Sequence, residues 1–231
     1  MAILFRLARL AMNPLFAILP PRRRFGMAMR LARIVAPIAG RLVSRHLRIL
    51  NDGVAIALWL MTLSMRQGGI TFDIPIEVEG EEVVADARRR GRGLLLVTGH
   101  FTLNTMPVPW LRARGWHVHT VRSEFDDALI VPGTRDPLPH FVPSANMLVA
   151  IRTALRDGDA VILPVDSLQP LPNGFTIGPL HVSDSALRFA ERCGTSVAYL
   201  ETRASRRGVA ATFTRGDLRS TFVRWLVAGV K

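Results

Sequence analysis

The stretch that decides the fold class lies at residues 147–166 and reads MLVAIRTALRDGDAVILPVD. Its first part repeats apolar residues at helical spacing as far as Gly158, which predicts a helix capped by that glycine. The apolar run that follows, from residue 160, is typical of a strand buried on both faces. A helix that leads directly into a buried strand indicates an α/β fold.

The same alternation of strand and helix continues through most of the chain from residue 70 onward. We predict strands at 70–80, 94–97, 116–122, 160–166, 196–203 and 209–215, and helices at 81–91, 109–115, 147–158 and from Ser183 or Asp184 to Gly194. The proline-rich stretch 125–145 is predicted to be the one long irregular connection. Strands that alternate with helices predict a mostly parallel central sheet flanked by helices.

Residues 1–66 are expected to form a basic, apolar helical segment that associates with a membrane. They contain eleven arginines and a single acidic residue, Asp52. Arg41, Arg45 and Arg48 are spaced to share one helical face, as in an amphipathic helix on an anionic membrane surface. An ordinary helix with a solvated basic face fits the same spacing. Residues 67–231 are predicted to form the α/β domain, with the two parts in one compact unit.

The chain shows no sign of a membrane span or of a cleaved signal peptide. The apolar segment VAIALWLMTL at 54–63 is too short to cross a bilayer, so we expect a buried or interfacial helix there. In the first 24 residues, arginines and an Asn-Pro pair interrupt the apolar run that a signal peptide requires.

The composition points to a polyanionic partner and restricts the chemistry that cysteine could supply. The chain has 231 residues, a net charge of +12 and 49% hydrophobic residues. These values suit one folded domain and a polyanionic partner: nucleic acid, anionic lipid or a phosphorylated substrate. Of its 30 basic residues only Lys231 is a lysine. Arginine codon bias and bidentate phosphate recognition both explain this. Cys193 is the single cysteine, which excludes a disulfide within the chain and a cysteine-rich metal site.

Polar side chains follow two of the predicted strands, where sites of α/β proteins gather. They are Thr98, His100, Thr102, Asn104 and Asp166. A histidine at such a point can take a proton from an attacking hydroxyl, which makes His100 a candidate general base. A structural histidine that caps the following turn fits the position equally well.

Other motifs do not indicate a site. The sequence has no G-x-S-x-G elbow, no H-E-x-x-H and no dinucleotide-binding loop. His117 and His119 share a face of a predicted strand, where a metal pair is possible but packing and exposure explain them more simply. His140 and His181 are expected in solvated loops. We therefore predict no metal site and no cofactor.

Three segments resemble the bacterial lipid A late acyltransferases, the lauroyl and myristoyl transferases, whose relatives acylate phosphatidylinositol mannosides. The first, 78–105, has a Gly-x-Glu before a helix, a basic end to that helix and an apolar strand that runs into Gly-His-Phe. The second and third, 152–166 and 175–203, are similar to later helix and strand blocks of the family. The likeness covers about residues 75–203. Relatives usually continue with further strand and helix beyond the point where this chain ends, so we expect a C-terminally short, divergent member.

The resemblance implies acyl transfer from acyl carrier protein or coenzyme A to a glycolipid hydroxyl. In the family, the histidine of an H-x4-[D/E] pair deprotonates the hydroxyl, and the acid orients the imidazole. His100 matches that histidine, and Asp166 matches an acid after a later strand. Arg122 and Arg135 correspond to family arginines that would bind a phosphate or the carrier, and Thr98 and Asn104 are further candidates for substrate binding.

The sequence departs from the family at the partner of His100. After four intervening residues, the motif position of the acid holds Thr105, which can accept a hydrogen bond but cannot offset a positive charge. Another acid, Asp166 or Glu124, approaches His100 in space, or the protein is a weakened or inactive homologue, or the motif is shifted.

We therefore expect a glycolipid O-acyltransferase on the cytoplasmic face of the cell inner membrane, with His100 as the base. Its partners would be the acyl donor, the glycolipid acceptor and an anionic membrane surface, and no nucleic acid is expected. An inactive lipid-binding homologue is one alternative. A basic protein that binds membrane surfaces or nucleic acid is the other.

Overall fold

The structure, a computed structural model, describes residues 13–43, 45–121, 130–171 and 173–229. In chain order its strands are β1 Ile76–Glu79, β2 Leu94–Thr98, β3 Val118–Val121, β4 His140–Phe141, β5 Ala160–Pro164, β6 Asp166–Ser167, β7 Gly174–Ile177, β8 Leu180–Ser183, β9 Ser196–Ala204 and β10 Val209–Thr214. Its helices are α1 Pro21–Ala39, α2 Arg45–Leu50, α3 Gly53–Gln67, α4 Glu81–Arg89, α5 Val108–Ala113, α6 Met147–Arg156, α7 Ser185–Cys193 and α8 Leu218–Gly229.

A mostly parallel sheet forms the centre of the molecule. Its strand order is β1-β10-β9-β2-β5-β3-β4. The strands β9, β2, β5, β3 and β4 all run in one direction, while β10 is antiparallel to β9 and β1 pairs parallel with β10. The predicted fold class, an α/β protein with a mostly parallel sheet between helices, is thereby confirmed.

Alternate residues of β2 face two different buried layers. Leu95 and Val97 belong to a cluster with apolar residues of α6, α7 and α8, whereas Leu94 and Leu96 pack with residues of α4 and α5. All four are completely buried. Because successive side chains of a strand point to opposite faces, the continuous apolar run is what a strand covered on both sides requires.

The N-terminal helices share a core with the α/β part. Buried residues of α1 and α3 form one cluster with Phe72, Leu103, Met106 and Val209. The two helices approach closely, since a side chain at Gly53 would lie 2.4 Å from the carbonyl oxygen of Ala36. The apolar segment at 54–63 is thus a packed helix, as expected. The division at residues 66 and 67, and the membrane role of the first part, remain predictions.

The predicted basic helical face is interrupted. Helix α1 ends at Ala39, a short 3₁₀ turn covers Gly40–Leu42, and Val43 is extended before α2 begins at Arg45. Arg41 therefore does not share a helix with Arg45 and Arg48, although all three side chains are exposed. No helix in the described ranges is long and apolar enough to cross a membrane.

Strand β4, His140–Phe141, lies in the stretch 125–145 that was predicted to be irregular, and it pairs with β3. Two further elements were also not expected from the sequence. Strands β6, β8 and β7 form a separate antiparallel sheet, so the segment before Ser183 is strand. Helix α8 follows β10 and buries Phe222 and Trp225 completely. The predicted strand at 70–80 is shorter, because only Ile76–Glu79 pairs with β10.

Candidate active site

His100 and Asp166 meet at the carboxyl edge of the central sheet. Strands β2 and β5 are parallel neighbours, with Thr98 opposite Pro164, so the residues that follow them emerge side by side. The Nδ1 atom of His100 lies 2.8 Å from Oδ1 of Asp166, and the backbone N–H of His100 donates to the same oxygen at 2.9 Å. Asp166, one of the two acids that were predicted to approach His100 in space, therefore contacts its ring.

A second histidine contacts the other oxygen of Asp166. Nε2 of His46, on helix α2, lies 2.9 Å from Oδ2 of Asp166. The rings of His46 and His100 are 4.3 Å apart between centroids and tilted by 48°. Nothing in the sequence around His46 indicates a role in the site, because His46 lies among arginines on a short helix and reaches the site only through the tertiary fold.

Asp166 is held as a carboxylate by the hydrogen bonds it accepts. Its side chain has no exposed surface. Burial acts to raise the pKa of the Asp166 carboxyl, but the hydrogen bonds and positive character of His100 and His46 outweigh it, so the pKa lies below its ordinary value. Three donors on two oxygens compensate for the lost hydration of a buried charge.

The ionised carboxylate fixes the tautomer of His100. A carboxylate only accepts hydrogen bonds, so the proton must lie on Nδ1 of His100. The lone pair then lies on Nε2, the atom that acts as general base in an Asp-His pair. The His100 side chain is 41% exposed, so a substrate can reach this ring.

Asn51 fixes the loop that carries His100. Its side-chain amide donates to the carbonyls of Leu47 and His100 at 2.6 and 2.9 Å. Its Oδ1 accepts from the backbone N–H and the hydroxyl of Thr102 at 2.7 and 3.0 Å. The buried amide therefore joins the end of helix α2, which supplies His46, to the turn that supplies His100.

We expect Asn51→Ala to lower the free energy of unfolding by about 2–3 kcal/mol, because it leaves buried polar groups of this loop without partners. Urea unfolding followed by circular dichroism measures the change. Asn104→Ala is the matched control: in the part of the chain that the structure describes, the Asn104 side chain makes no hydrogen bond, so its effect should stay within about 0.5 kcal/mol. Equal losses in both variants would argue against the role of Asn51.

Close packing behind the loop leaves little freedom to His100. A side chain on Gly99 would lie 2.4 Å from Cδ1 of Leu50, so the Leu50 side chain would have to move to admit any residue larger than glycine. The ring of Phe101 packs edge-on against Trp225 of α8, with centroids 5.2 Å apart. Buried apolar residues thus fix the turn on either side of His100.

The other residues predicted for the site are placed differently. Thr98 is completely buried, and its hydroxyl donates to the carbonyl of Leu200 at 2.7 Å, so it is not open to a substrate. Asn104 is half-buried in the turn after His100. Arg135 is exposed and donates to the carbonyl of Gly69, and Arg122, like the alternative acid Glu124, lies outside the described residues.

The comparisons with known proteins do not assign the chain to a family. No protein-family model matches the chain, and no curated protein matches it. Inference about function therefore rests on the geometry of His46, His100 and Asp166 and on the resemblance stated above.

The same three residues are also a possible ligand set for a metal ion. Their ligand atoms lie within 4.8 Å of one another. The two histidines, however, contact different oxygens of Asp166, and Oδ1 also receives a backbone N–H. The carboxylate therefore lies between the two rings, and their nitrogens do not converge on one position where a metal ion could bind. This arrangement suits hydrogen bonding better than metal coordination.

Proposed function

We propose that the protein transfers a fatty acyl group from acyl carrier protein or acyl-CoA to a hydroxyl of a membrane glycolipid of the lipid A precursor type. The observation that carries the proposal is the 2.8 Å contact between Nδ1 of His100 and the buried carboxylate of Asp166. Through this contact Asp166 orients His100 as a base. The family motif requires such an acid, and Thr105 cannot serve as one.

In the proposed reaction, Nε2 of His100 takes the proton of the acceptor hydroxyl as its oxygen attacks the thioester carbonyl carbon. The carbon–oxygen bond forms, the carbon–sulfur bond breaks, and His100 returns the proton to the departing thiolate. Asp166 stabilises the imidazolium that exists between these steps. General-base catalysis of this kind contributes about 10²- to 10⁴-fold to a rate. The chemistry proposed here uses no cofactor.

The position of Asp166 also bears on the alternative of an inactive lipid-binding homologue. That alternative rested on the absence of an acid at Thr105. A carboxylate within hydrogen-bonding distance of His100 removes the reason for expecting a lost activity. The arrangement therefore favours a His100 that acts as a general base over one that has lost this function.

Basic side chains near the site suit a phosphorylated acceptor. Helix α2, which brings His46 to Asp166, also carries Arg45 and Arg48, whose side chains are exposed. Guanidinium groups bind phosphate oxygens in a bidentate manner. A glycolipid phosphate held by these arginines would lie beside the catalytic loop.

Exposed apolar residues on helix α1 support contact with a membrane. Ile34, Val35 and Ile38 are 72%, 38% and 60% exposed, and the exposed Arg41 follows them. Apolar side chains flanked by arginines are what a protein lying on anionic lipid presents. Such apolar residues favour lipid over nucleic acid as the partner, and the cytoplasmic face of the inner membrane is proposed as the location because the resemblance implies it.

Replacing Ile34 and Ile38 together by serine should weaken binding to anionic vesicles by at least about 10-fold, because each isoleucine contributes on the order of 1 kcal/mol or more when it leaves water. Co-sedimentation with phosphatidylglycerol-containing vesicles measures the change. The double variant Leu148→Ser/Val149→Ser is the control, since these residues are 53% and 65% exposed on helix α6. Equal binding by the α1 variant and the native protein would remove α1 as the membrane contact.

The activity itself is tested with purified full-length protein, acyl carrier protein or coenzyme A thioesters of several chain lengths, and a lipid A precursor in mixed micelles. Mass spectrometry should detect an acceptor heavier by one acyl group, formed at a rate proportional to protein concentration. A series of donors and acceptors that gives no product above the background without protein would contradict the proposed function.

A further inference from the structure

A second cluster of two histidines and one aspartate lies at the opposite edge of the sheet. His117 precedes β3, His119 lies within it, and Asp159 precedes β5. These are the amino ends of the strands, whereas Asp166 follows the carboxyl end of β5. The length of β5, roughly 16 Å, therefore separates this cluster from the candidate active site.

The ligand atoms of this cluster converge on one carboxylate oxygen. Oδ2 of Asp159 lies 3.2 Å from Nδ1 of His117 and 2.8 Å from Nε2 of His119. All three atoms lie within 4.8 Å of one another. Two ligands of a tetrahedral zinc ion, each bonded at 2.0–2.1 Å, lie about 3.3 Å apart. The observed spacings are close enough to this value for small ring movements to admit an ion.

The surroundings hold the ligands in place and leave one side open. Val118 and Ala160 are partners in the register of β3 and β5, and the N–H of Ala160 donates to the carbonyl of His117 at 2.8 Å. The ring of His119 stacks on Phe141. The side chain of His117 is 61% exposed, so water can complete the coordination and an ion can enter.

We infer that His117, His119 and Asp159 form a binding site for a divalent transition-metal ion, with zinc as the best match for two imidazoles, one carboxylate and a water. The inference differs from the sequence expectation, which assigned both histidines to packing and exposure. What the sequence could not show is that Asp159, 40 residues beyond His119, meets both rings through one oxygen. The site is independent of the proposed acyl transfer.

Isothermal titration of chelator-treated, tag-free protein with zinc chloride tests the inference. Native protein should bind zinc, and His117→Ala and Asp159→Asn should each weaken that binding at least about 10-fold, since even loss of a residue that only orients a ligand costs 10- to 100-fold. His117 and Asp159 are separate variants so that a folding defect in one does not decide the result. His140→Ala is the control for general histidine binding.

The double variant His46→Ala/His100→Ala distinguishes this site from the other histidine cluster. It should retain the zinc binding that His117→Ala and Asp159→Asn lose. Absence of zinc binding by the native protein would overturn the inference. Binding that survives in both His117→Ala and Asp159→Asn, or that is lost only in the His46 and His100 double variant, would overturn it as well.

Discussion

Replacement of His100 by alanine is expected to lower kcat for acyl transfer by about 10³-fold, or about 4 kcal/mol of transition-state stabilisation. The variant loses Nε2, the atom that takes the proton from the acceptor hydroxyl in the proposed reaction. Because the base acts on the reacting group, the loss should fall on kcat more than on KM. Initial rates at several acceptor concentrations separate the two.

His140→Ala is the matched control for this prediction. His140 lies on β4, and the one hydrogen bond of its ring among the described residues is with the carbonyl of Leu138, at 3.5 Å. Its replacement should leave kcat within about 2-fold of the native value. Full acyl transfer by His100→Ala would remove the proposed mechanism.

Replacement of Asp166 by asparagine is expected to lower kcat by about 10³- to 10⁴-fold, the scale seen when the carboxylate of a Ser-His-Asp triad becomes an amide. The change keeps the size of the side chain but removes its charge. An amide can also donate from the position where the carboxylate accepts, which would favour the wrong tautomer of His100. The lost charge and the wrong tautomer both weaken His100 as a base, although the imidazole ring itself is still present.

A stability measurement must accompany this variant because Asp166 is buried and bonded to two histidines. Urea unfolding shows whether the protein remains folded under assay conditions. Asp157→Asn, a change of the same chemistry at an exposed position, should leave both stability and kcat unchanged within error. If Asp166→Asn is folded and kcat is still lost, the loss comes from the catalytic role of the carboxylate and not from unfolding.

The sequence was sufficient for six of the seven strands of the central sheet, all except β4, and for His100 and Asp166 of the site. Continuous apolar runs such as that of β2 predict strands covered on both faces, and the edge where parallel strands end brings His100 and Asp166 together. The period of two would also have placed Thr98 with Leu94 and Leu96, on a buried face, and so argued against a role in substrate binding.

His46 and the small antiparallel sheet could not be predicted, for a physical reason. His46 lies 120 residues from Asp166 in sequence, and its approach depends on how α2 packs beside the loop at Gly99. Strand β6 has two residues, too few for a local pattern, and it forms because β8 pairs with it. Contacts that exist only through tertiary packing carry no signal in the residues beside them.

We propose that Asp166 is the acid that orients His100, and that Thr105, at the position which an H-x4-[D/E] pattern would give to that acid, is not. The most direct measurement is kcat for acyl transfer by Asp166→Asn and Thr105→Ala, compared with native protein in one assay. We expect a loss of about 10³-fold or more for Asp166→Asn and a change of less than about 3-fold for Thr105→Ala. Comparable losses in both variants, or a loss confined to Thr105→Ala, would contradict it.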